Sequence, residues 1–333
     1  MMNPARMELV CPAGTPATLR AAVQAGADAV YCGFRDETNA RNFPGLNFST
    51  EELAEGVKFA HAHGSKVLVA INTFAKVGNV DQWRKAVDAA ARCGADAIIA
   101  ADIAVLDHAA RNHKQTRLHL SVQAAAATPE AIGFYADTFG VRRVVLPRVL
   151  SIQEIATLNR AIRVETEAFV FGGLCVMTEG RCYLSSYATG KSPNLNGVCS
   201  PPEMVSYDED AGGTVARLSG FTIDRYAPGA PVGYPTLCKG RFKAGDKTSH
   251  LFEDPVSLNA GSMIAGLKAA GVTALKIEGR QRGKGYVTEV VRAFRKAVDA
   301  VEQGSDAIEI DRILAGQSEG GRQTTGAYKK SWR

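Results

Sequence analysis

Short apolar runs alternate with amphipathic stretches over the first 172 residues of the chain. Nearly every position in each run is apolar, which is typical of strands that a parallel sheet buries on both faces. The seven runs span residues 8–12, 29–33, 67–72, 97–102, 118–123, 141–147 and 168–172. The pattern therefore predicts seven parallel β-strands connected by helices.

The stretches between these runs carry signals for helix starts and helix ends. The predicted helices span residues 16–25, 50–63, 80–93, 103–111, 129–138 and 151–159. Ser49 and Thr128 stand at N-cap positions, and Ser151 with Glu154 has the spacing of a capping box. The phrases AGADAV and CGADAI, at residues 25–30 and 93–98, end a helix with glycine and lead directly into a strand. Their recurrence indicates a repeated β/α unit.

An eighth strand is predicted at residues 274–278, followed by a long helix at residues 284–302. Eight strands with short, right-handed connections favour a TIM-like (β/α)8 barrel, and a doubly wound open sheet is the alternative. Residues 173–265 are rich in Gly, Pro, Tyr and Cys and lack long helical periodicity. We expect them to form an insertion before the last strand, on the carboxyl face where barrel enzymes keep their chemistry. One domain over residues 1–333 is expected, with a loosely packed polar tail at residues 316–333.

Composition and charge narrow the class of protein only moderately. The 39 basic and 34 acidic residues give a net charge of +5 that is spread along the chain, which does not indicate a nucleic-acid-binding protein. No apolar run approaches the roughly 18 residues of a membrane span, and the N-terminus has no secretory signal pattern. We therefore expect a soluble, cytoplasmic protein without a membrane span. In a reducing compartment, the seven cysteines are not expected to form disulfides.

Four of the cysteines lie in the insertion with the spacing C-x6-C-x16-C-x38-C. They are Cys175, Cys182, Cys199 and Cys238. Each stands beside Gly or Pro or close to one, so four thiolates can surround a metal centre without regular secondary structure. Zinc sites usually pair their ligands at short spacings, whereas an iron–sulfur cluster accepts ligands from distant loops. The spacing favours a cluster over zinc, and either metal over four separate thiols. Cys11, Cys32 and Cys93 are expected to be packed thiols, because they lie in strands or at a helix end.

Polar side chains follow several of the predicted strands and are expected to line the mouth of the barrel. The candidates are Arg41, Gln123, Arg148, Lys276, Glu278 and Arg280, together with Asn39 and Asn72. A mouth lined with arginine can bind a carboxylate substrate, because a guanidinium group pairs bidentately with a carboxylate. For each single residue the alternative is a salt bridge or a hydrogen bond that stabilises a loop. No HExxH zinc-protease motif and no glycine-rich phosphate loop accompanies these residues.

The segment EAFVFGGLCVMTEGRCYLS, residues 167–185, resembles the signature of the collagenase-like "unassigned peptidase" family. In that signature an acidic residue and a phenylalanine lead into G-x-x-C, followed by a glycine, a cysteine and a serine. The phrases ELVCPAG, GADAVYCG, NARNF, SVQ, VVLPRVLS and KIEGR are also similar to that family. The resemblance covers nearly the whole chain from Met7 onward.

The resemblance implies that Cys175, Cys182, Cys199 and Cys238 are the four ligands of a [4Fe–4S] cluster. The ending GQSEGGRQTTGAYKKSWR resembles the branch that hydroxylates the ubiquinone precursor ring without oxygen. The implied partners are a homologous, UbiV-like protein in a heterodimer and a lipid-binding accessory protein that presents the substrate. Prephenate, a small dicarboxylate, is the implied oxygen source. The alternatives are an RNA-base hydroxylase of the same family, a collagenase-like peptidase, and a non-catalytic scaffold whose cluster only stabilises the insertion.

Overall fold

The computed structural model describes residues 6–305, 310, 314–318 and 322–329. Its first seven strands pair in parallel and in chain order. They are β1 (Glu8–Pro12), β2 (Ala29–Cys32), β3 (Lys66–Ile71), β4 (Ala97–Ala100), β5 (Arg117–Leu120), β6 (Arg143–Val145) and β7 (Glu165–Gly173). The helices that connect them are α1 (Pro16–Gln24), α2 (Thr50–Ala62), α3 (Val80–Arg92), α4 (Ile103–Asn112), α5 (Pro129–Phe139) and α6 (Ile152–Ala161). Each coincides with a predicted element to within a few residues.

The predicted helix starts form as expected. Ser49 and Ser151 each make a capping box with the glutamate three residues later. The Thr128 hydroxyl accepts a hydrogen bond from the backbone N–H of Ala131. These caps satisfy N–H groups that the first turn of a helix leaves without a partner.

The insertion contains regular structure that the sequence reading did not predict. Its elements are α7 (Leu184–Thr189), α8 (Pro193–Asn196), β8 (Val205–Asp210), β9 (Gly213–Leu218), β10 (Phe221–Tyr226), β11 (Arg241–Ala244), β12 (Lys247–His250), β13 (Ser257–Asn259) and α9 (Ile264–Ala269). Strands β8, β9 and β10 form an antiparallel sheet, and β11 and β12 form a hairpin. Cys175, Cys182 and Cys199 themselves lie outside the helices and strands, and Cys238 lies in a short 3-10 helix (Leu237–Lys239).

Strand β14 (Ala274–Ile277) closes the barrel, because it pairs in parallel with both β1 and β7. This closure confirms the (β/α)8 barrel and excludes the open sheet. Helix α10 (Lys284–Glu302) follows and packs against α1 and β1. Strand β13 adds to β7 in antiparallel orientation, and β15 (Gln323–Thr324) pairs in parallel with β13.

Apolar side chains fill the molecule in two clusters. The larger one lies between the strands and the helices, and includes Leu9, Leu19, Trp83 and Phe294. The smaller one comes from strand positions alone and contains Val10, Ala29, Tyr31, Leu68, Ala97, Ile99 and Ala274. These side chains come from five neighbouring strands, β14, β1, β2, β3 and β4, and side chains fill a barrel interior in this way. This part of the interior is therefore a packed core.

The described part of the C-terminal tail is well packed, which contradicts the expectation of loose packing. Tyr328 is 6% exposed, and its hydroxyl donates a hydrogen bond of 2.6 Å to the Phe169 carbonyl of β7. Residues 319–321 and 330–333 of the predicted tail lie outside the described residues. Among the described helices, none has the length and apolar character needed to cross a membrane.

Candidate active site at the barrel mouth

A cavity opens where the barrel strands end, with an empty volume of about 590 Å³ that includes its opening to solvent. All six residues predicted to line the mouth contribute to it, namely Arg41, Gln123, Arg148, Lys276, Glu278 and Arg280. Asn72 lines it as well, whereas Asn39 lies behind Arg280 and accepts a hydrogen bond from its guanidinium group. The geometry therefore brings the candidate residues together, and their chemical roles remain predictions.

Glu278 and Arg41 form the first polar contact of the mouth. The Glu278 Oε1 atom lies 3.5 Å from Arg41 Nε, and Oε2 accepts a 3.1 Å hydrogen bond from the backbone N–H of Gly173. Burial disfavours the charged form of Glu278, but Arg41 and Arg148 outweigh it and lower the pKa of this carboxyl group. Arg41 adopts a φ of +88°, a strained conformation for a residue with a side chain. Strain of this kind concentrates at functional sites, where the surrounding structure maintains it.

Arg148 connects the barrel to the insertion. Its guanidinium group forms a buried ion pair with Glu179, and its Cζ atom lies 3.5 Å from the centroid of the Phe169 ring. Sequence reasoning missed Glu179. Its only signal is an acidic side chain between Cys175 and Cys182, and nothing in the local pattern places it against β6.

Arg280 differs from the other two mouth arginines in its partners. Its Nη1 atom donates a 2.9 Å hydrogen bond to the neutral side chain of Asn39. Among the described residues, no carboxylate forms an ion pair with it. Burial lowers the pKa of Arg280, yet a guanidinium group stays charged at neutral pH. Arg280 is therefore a buried cation that forms no ion pair with a described carboxylate, although the charge of Glu278 acts on it from farther away, and this favours an anion in the cavity.

Lys276 lies at the floor of the cavity and is held by the barrel interior. Its Nζ atom is 2.6 Å from Glu167 Oε1 and 3.8 Å from the centroid of the Tyr31 ring. Burial lowers the pKa of Lys276 although the nearby Glu167 opposes that shift. Because Glu167 compensates the charge of Lys276, this lysine is less available to a substrate than Arg280.

Two polar groups at the mouth have no protein partner within the described chain. They are the Gln123 Oε1 atom, an acceptor, and the Arg148 Nε–H group, a donor. Asn72 is satisfied, because it accepts from the Ala40 N–H and donates to the Ser121 hydroxyl. Buried polar groups normally find a partner, so a donor and an acceptor left over in one cavity indicate a place for water or a polar ligand.

The insertion holds its cysteines against this mouth through two close glycine contacts. A Cβ atom on Gly180 would lie 1.9 Å from the Gln123 carbonyl oxygen, and one on Gly197 would lie 2.5 Å from the Ala40 Cα atom. The Arg41 Nη1 atom also donates a 3.0 Å hydrogen bond to the Gly197 carbonyl. The segments carrying Cys182 and Cys199 therefore lie directly on the loops that follow β5 and β2.

The four cysteines of the insertion are close enough to interact electrostatically. Burial raises the pKa of Cys175 to about 12, and the charges of Glu179 and Cys238 act in the same direction. Burial also raises the pKa of Cys238 to about 11, to which Cys199 and Cys182 contribute. Thiols with such values stay protonated at neutral pH unless a metal cation stabilises the thiolate. The four side chains therefore form one group, in which the thiolate forms of Cys175 and Cys238 need a cationic partner.

The spacing of the sulfur atoms can be compared with the geometry of a zinc site. Four thiolates around one zinc ion lie about 3.8 Å apart, because each Zn–S bond is about 2.3 Å. In the described chain, no three of these Sγ atoms lie within 4.8 Å of one another. The side chains therefore do not form a closed tetrahedral zinc site as they stand, and an iron–sulfur centre bound by Cys175, Cys182, Cys199 and Cys238 stays a prediction. All seven cysteines are free, and Cys11 and Cys32 are packed in the core as predicted.

The sequence reading that no G-x-S-x-G motif is present is wrong, because residues 316–320 read GQSEG. In hydrolases this motif places a serine on a sharp turn between a strand and a helix. Here Ser318 follows a short 3-10 helix (Ala315–Gln317), and its hydroxyl donates to the Leu314 carbonyl. Ser318 does not line the cavity at the mouth. The motif therefore supplies no nucleophile to this site.

Comparisons with known proteins found related sequences over most of the chain. The family model described as Peptidase family U32 matches residues 14–326. The chain is 31% identical over 295 residues to tRNA hydroxylation protein P1 of Bacillus subtilis, covering 88% of this chain and 63% of that protein. It is 30% identical over 320 residues to 23S rRNA 5-hydroxycytidine C2501 synthase of Escherichia coli, covering 94% of this chain and 42% of that protein. The chain thus spans less than two thirds of the length of either relative.

Among solved structures, the U32 peptidase Mk0906 is similar over 51% of this chain and 71% of that chain. The TM-score is 0.43 and the sequence identity is 16%.

Proposed function

The chain belongs to peptidase family U32, and from that premise we propose that it is the iron–sulfur subunit of an oxygen-independent hydroxylase. The proposed substrate is the ubiquinone precursor ring, which makes the protein a UbiU-type member of the family. The observation that carries the proposal is the position of the four insertion cysteines beside a cavity that contains a buried arginine without an ion-pair partner among the described residues. The proposal thus assigns redox chemistry and anion binding to adjacent parts of one molecule.

The proposed cofactor is a [4Fe–4S] cluster held by Cys175, Cys182, Cys199 and Cys238. When bound, it supplies electron transfer, with a potential that burial and nearby charges adjust. The positive side chains of Arg41, Arg148 and Lys239 stabilise the thiolate forms, since each interacts with at least one of the cysteines.

The chain's own residues would bind the oxygen donor, which we propose to be prephenate. This molecule is a dicarboxylate, and Arg280 lacks a carboxylate partner among the described residues. Arg148 offers its free Nε–H group and Gln123 its free amide oxygen at the same cavity. Arg280 would therefore neutralise one carboxylate while the other two side chains orient the donor near the insertion.

The proposed partners are a UbiV-like protein that forms a heterodimer with this chain and a lipid-binding protein that presents the apolar substrate. Exposed aromatic side chains beside the cysteines support a contact on this face. Tyr183 is 57% exposed and Tyr187 is 92% exposed. Thiolate ligation also requires a reducing compartment, which is consistent with the proposed cytoplasmic location.

Hydroxylation of an RNA base is the second candidate, because the two similar proteins named above act on tRNA and rRNA by their names. The charge distribution favours a small substrate instead. The net charge is only +5, and exposed strand β8 presents the acidic residues Asp208, Glu209 and Asp210. A face that binds RNA would be expected to concentrate basic residues.

The test begins with anaerobic purification after co-expression with the proposed partner. About four irons and four sulfides per chain, with a broad absorption band that bleaches in air, are expected. Cys175→Ala should lose this iron and sulfide, whereas the matched variant Cys93→Ala should keep both. Full iron content in Cys175→Ala, or zinc in the anaerobic wild type, would contradict the ligand assignment.

The second stage of the test separates the substrates. Prephenate should support hydroxylation of the quinone precursor in anaerobic reactions that contain the partner. Hydroxylated nucleosides in digested RNA, without any hydroxylated quinone precursor, would instead establish the RNA-modifying candidate. Cleavage of protein substrates that persists after removal of the metal would establish the peptidase candidate.

A further inference from the structure

Three metal-ligating side chains converge on the outside of the barrel, away from the insertion. The Asp88 Oδ1 atom lies 2.8 Å from His108 Nε2 and 2.6 Å from His113 Nε2. All three ligand atoms lie within 4.8 Å of one another, and in the described chain this is the one such group. The side chains are between 19% and 31% exposed, so the group is accessible from solvent but not fully hydrated.

The group joins two neighbouring helices. Asp88 belongs to α3, His108 belongs to α4, and His113 directly follows the end of α4. Because β5 begins only four residues later, His113 lies at the end of the barrel where the strands start. The cavity lies at the opposite end, where the strands finish. The group is thus separate from the proposed hydroxylation site.

We propose that Asp88, His108 and His113 bind a divalent transition-metal ion of the zinc class. Two imidazoles and one carboxylate form a ligand set that Zn²⁺ accepts, with the fourth position left for water. Imidazole nitrogen also suits Ni²⁺ and Cu²⁺, whereas Mg²⁺ and Ca²⁺ prefer oxygen ligands.

Only a small expansion of the group is needed to admit the ion. Two ligand atoms that each lie about 2.0–2.1 Å from a tetrahedral zinc ion are about 3.3 Å apart. The present Asp88–histidine distances of 2.6 and 2.8 Å would therefore each open by roughly half an ångström. Rotation of exposed side chains can supply such a shift without moving either helix.

Hydrogen bonds from Asn112 determine which ring nitrogen of His108 carries the proton. Its Nδ2 group donates to His108 Nδ1 at 3.2 Å and to the His108 carbonyl at 2.9 Å. Without metal, His108 therefore carries its proton on Nε2 and donates it to Asp88. Metal binding moves that proton to Nδ1, and half a turn of the Asn112 amide then presents an oxygen to accept it. Histidine ligands commonly have such a supporting acceptor.

The bound ion would add a link between α3 and α4, which already pack against each other. The proposal is tested by isothermal titration of ZnCl₂ into anaerobically purified full-length protein, with its iron content measured before and after. Wild type is expected to bind one zinc ion per chain without releasing iron. His113→Gln and Asp88→Asn should each weaken binding about tenfold or more, since each removes one of three ligands.

His61→Gln provides the matched control, because His61 pairs with one carboxylate, Asp96, at 2.9 Å on the same outer layer and has no second histidine. It should bind zinc like the wild type. Zinc should also raise the melting temperature of wild type and His61→Gln by roughly 2 °C or more, but not that of His113→Gln. Circular dichroism establishes that each variant is folded.

Three results would overturn the proposed metal site. One is the absence of zinc binding in the wild type, and another is equal affinity in wild type and His113→Gln. Zinc uptake matched by iron release would place the ion at the cysteines instead. None of these readouts depends on hydroxylase activity, so the metal site and the proposed function can fail independently.

Discussion

Glu179 and Arg148 form an ion pair in which the two side chains are only 7% and 6% exposed. Glu179 lies between the first two cysteines of the insertion, and Arg148 follows β6 of the barrel. The pair therefore fixes the proposed cluster-binding segment to the mouth. Phe169 packs against the guanidinium group from the other side, so water has little access to either charge.

Replacing Glu179 by glutamine should destabilise the protein strongly. The change leaves the Arg148 charge buried without its partner, and breaking a buried pair in this way costs about 3–5 kcal/mol. Chemical denaturation under anaerobic conditions should show a loss in this range, together with a lower iron content. Glu203→Gln is the matched control, because Glu203 is 54% exposed and pairs with Lys191 in the same insertion. An exposed pair contributes at most about 1 kcal/mol, so similar losses in both variants would contradict the role of Arg148.

Arg280→Ala should weaken binding of the anionic oxygen donor and leave the iron content unchanged. A hydrogen bond to a charged group contributes about 1.5–3 kcal/mol, so the dissociation constant for prephenate should rise roughly 10- to 100-fold. Equilibrium binding to the anaerobic protein measures this change. Arg282→Ala is the matched control. Arg282 stands two positions after Arg280 in the chain and carries an equal charge, but its side chain is exposed and does not line the cavity. Binding that is equally strong in wild type and Arg280→Ala would remove Arg280 from the site.

Glu8 is expected to make the barrel sensitive to acid. Burial disfavours its charged form, but Arg143 and Lys66 outweigh burial and lower the pKa of Glu8 below its usual 4.5. The folded state therefore binds this proton less readily than the unfolded chain. The stabilisation from Glu8 is complete above about pH 4.5 and is lost as the pH falls through its lowered value. In Glu8→Gln, the free energy of unfolding should therefore decrease less steeply as the pH is lowered from about 5 to 3. The exposed substitution Glu55→Gln should leave that slope nearly unchanged.

The barrel could be predicted from the sequence because its signals are local. Each strand is short and apolar throughout, and capping residues such as Ser49 and Ser151 mark where the helices begin. The mouth residues followed from the same reasoning, since the carboxyl ends of parallel strands meet at one end of a barrel. Arg280 and Glu278 could therefore be assigned to the cavity before any geometry was available.

The insertion was harder to predict because several of its strands, such as β8, β11 and β12, are mostly exposed. Strand β8 presents five exposed residues of six, including Asp208 and Glu209, and such a segment resembles a loop in its hydropathy. The turn residues Ser219 and Gly220 were a usable signal for the β9–β10 hairpin. The burial of Tyr328 had no local signal, because its hydrogen-bond partner Phe169 is 159 residues away in the chain. Glu179 was missed for a similar reason, because its partner Arg148 lies on a different part of the chain.

Gly180→Ala should show that contact between the insertion and the barrel is needed for cluster binding. A Cβ atom at this position would lie 1.9 Å from the Gln123 carbonyl oxygen and 2.7 Å from its carbonyl carbon. Both atoms belong to the backbone, so the insertion must move away from β5. Gly180 also has a φ of +81°, which costs a residue with a side chain about 1 kcal/mol.

Gly190→Ala separates these two effects. Gly190 has a similar φ of +68° and lies in the same insertion, but a Cβ atom there has nothing within 4 Å. It should lose only the roughly 1 kcal/mol of backbone strain and keep its iron. Gly180→Ala should lose about 1–3 kcal/mol more, the usual range for overpacking, and its iron and sulfide content should fall. Denaturation curves and iron analysis on both variants measure the difference. Equal iron in the two variants would show that the cysteines bind their metal without support from the barrel mouth.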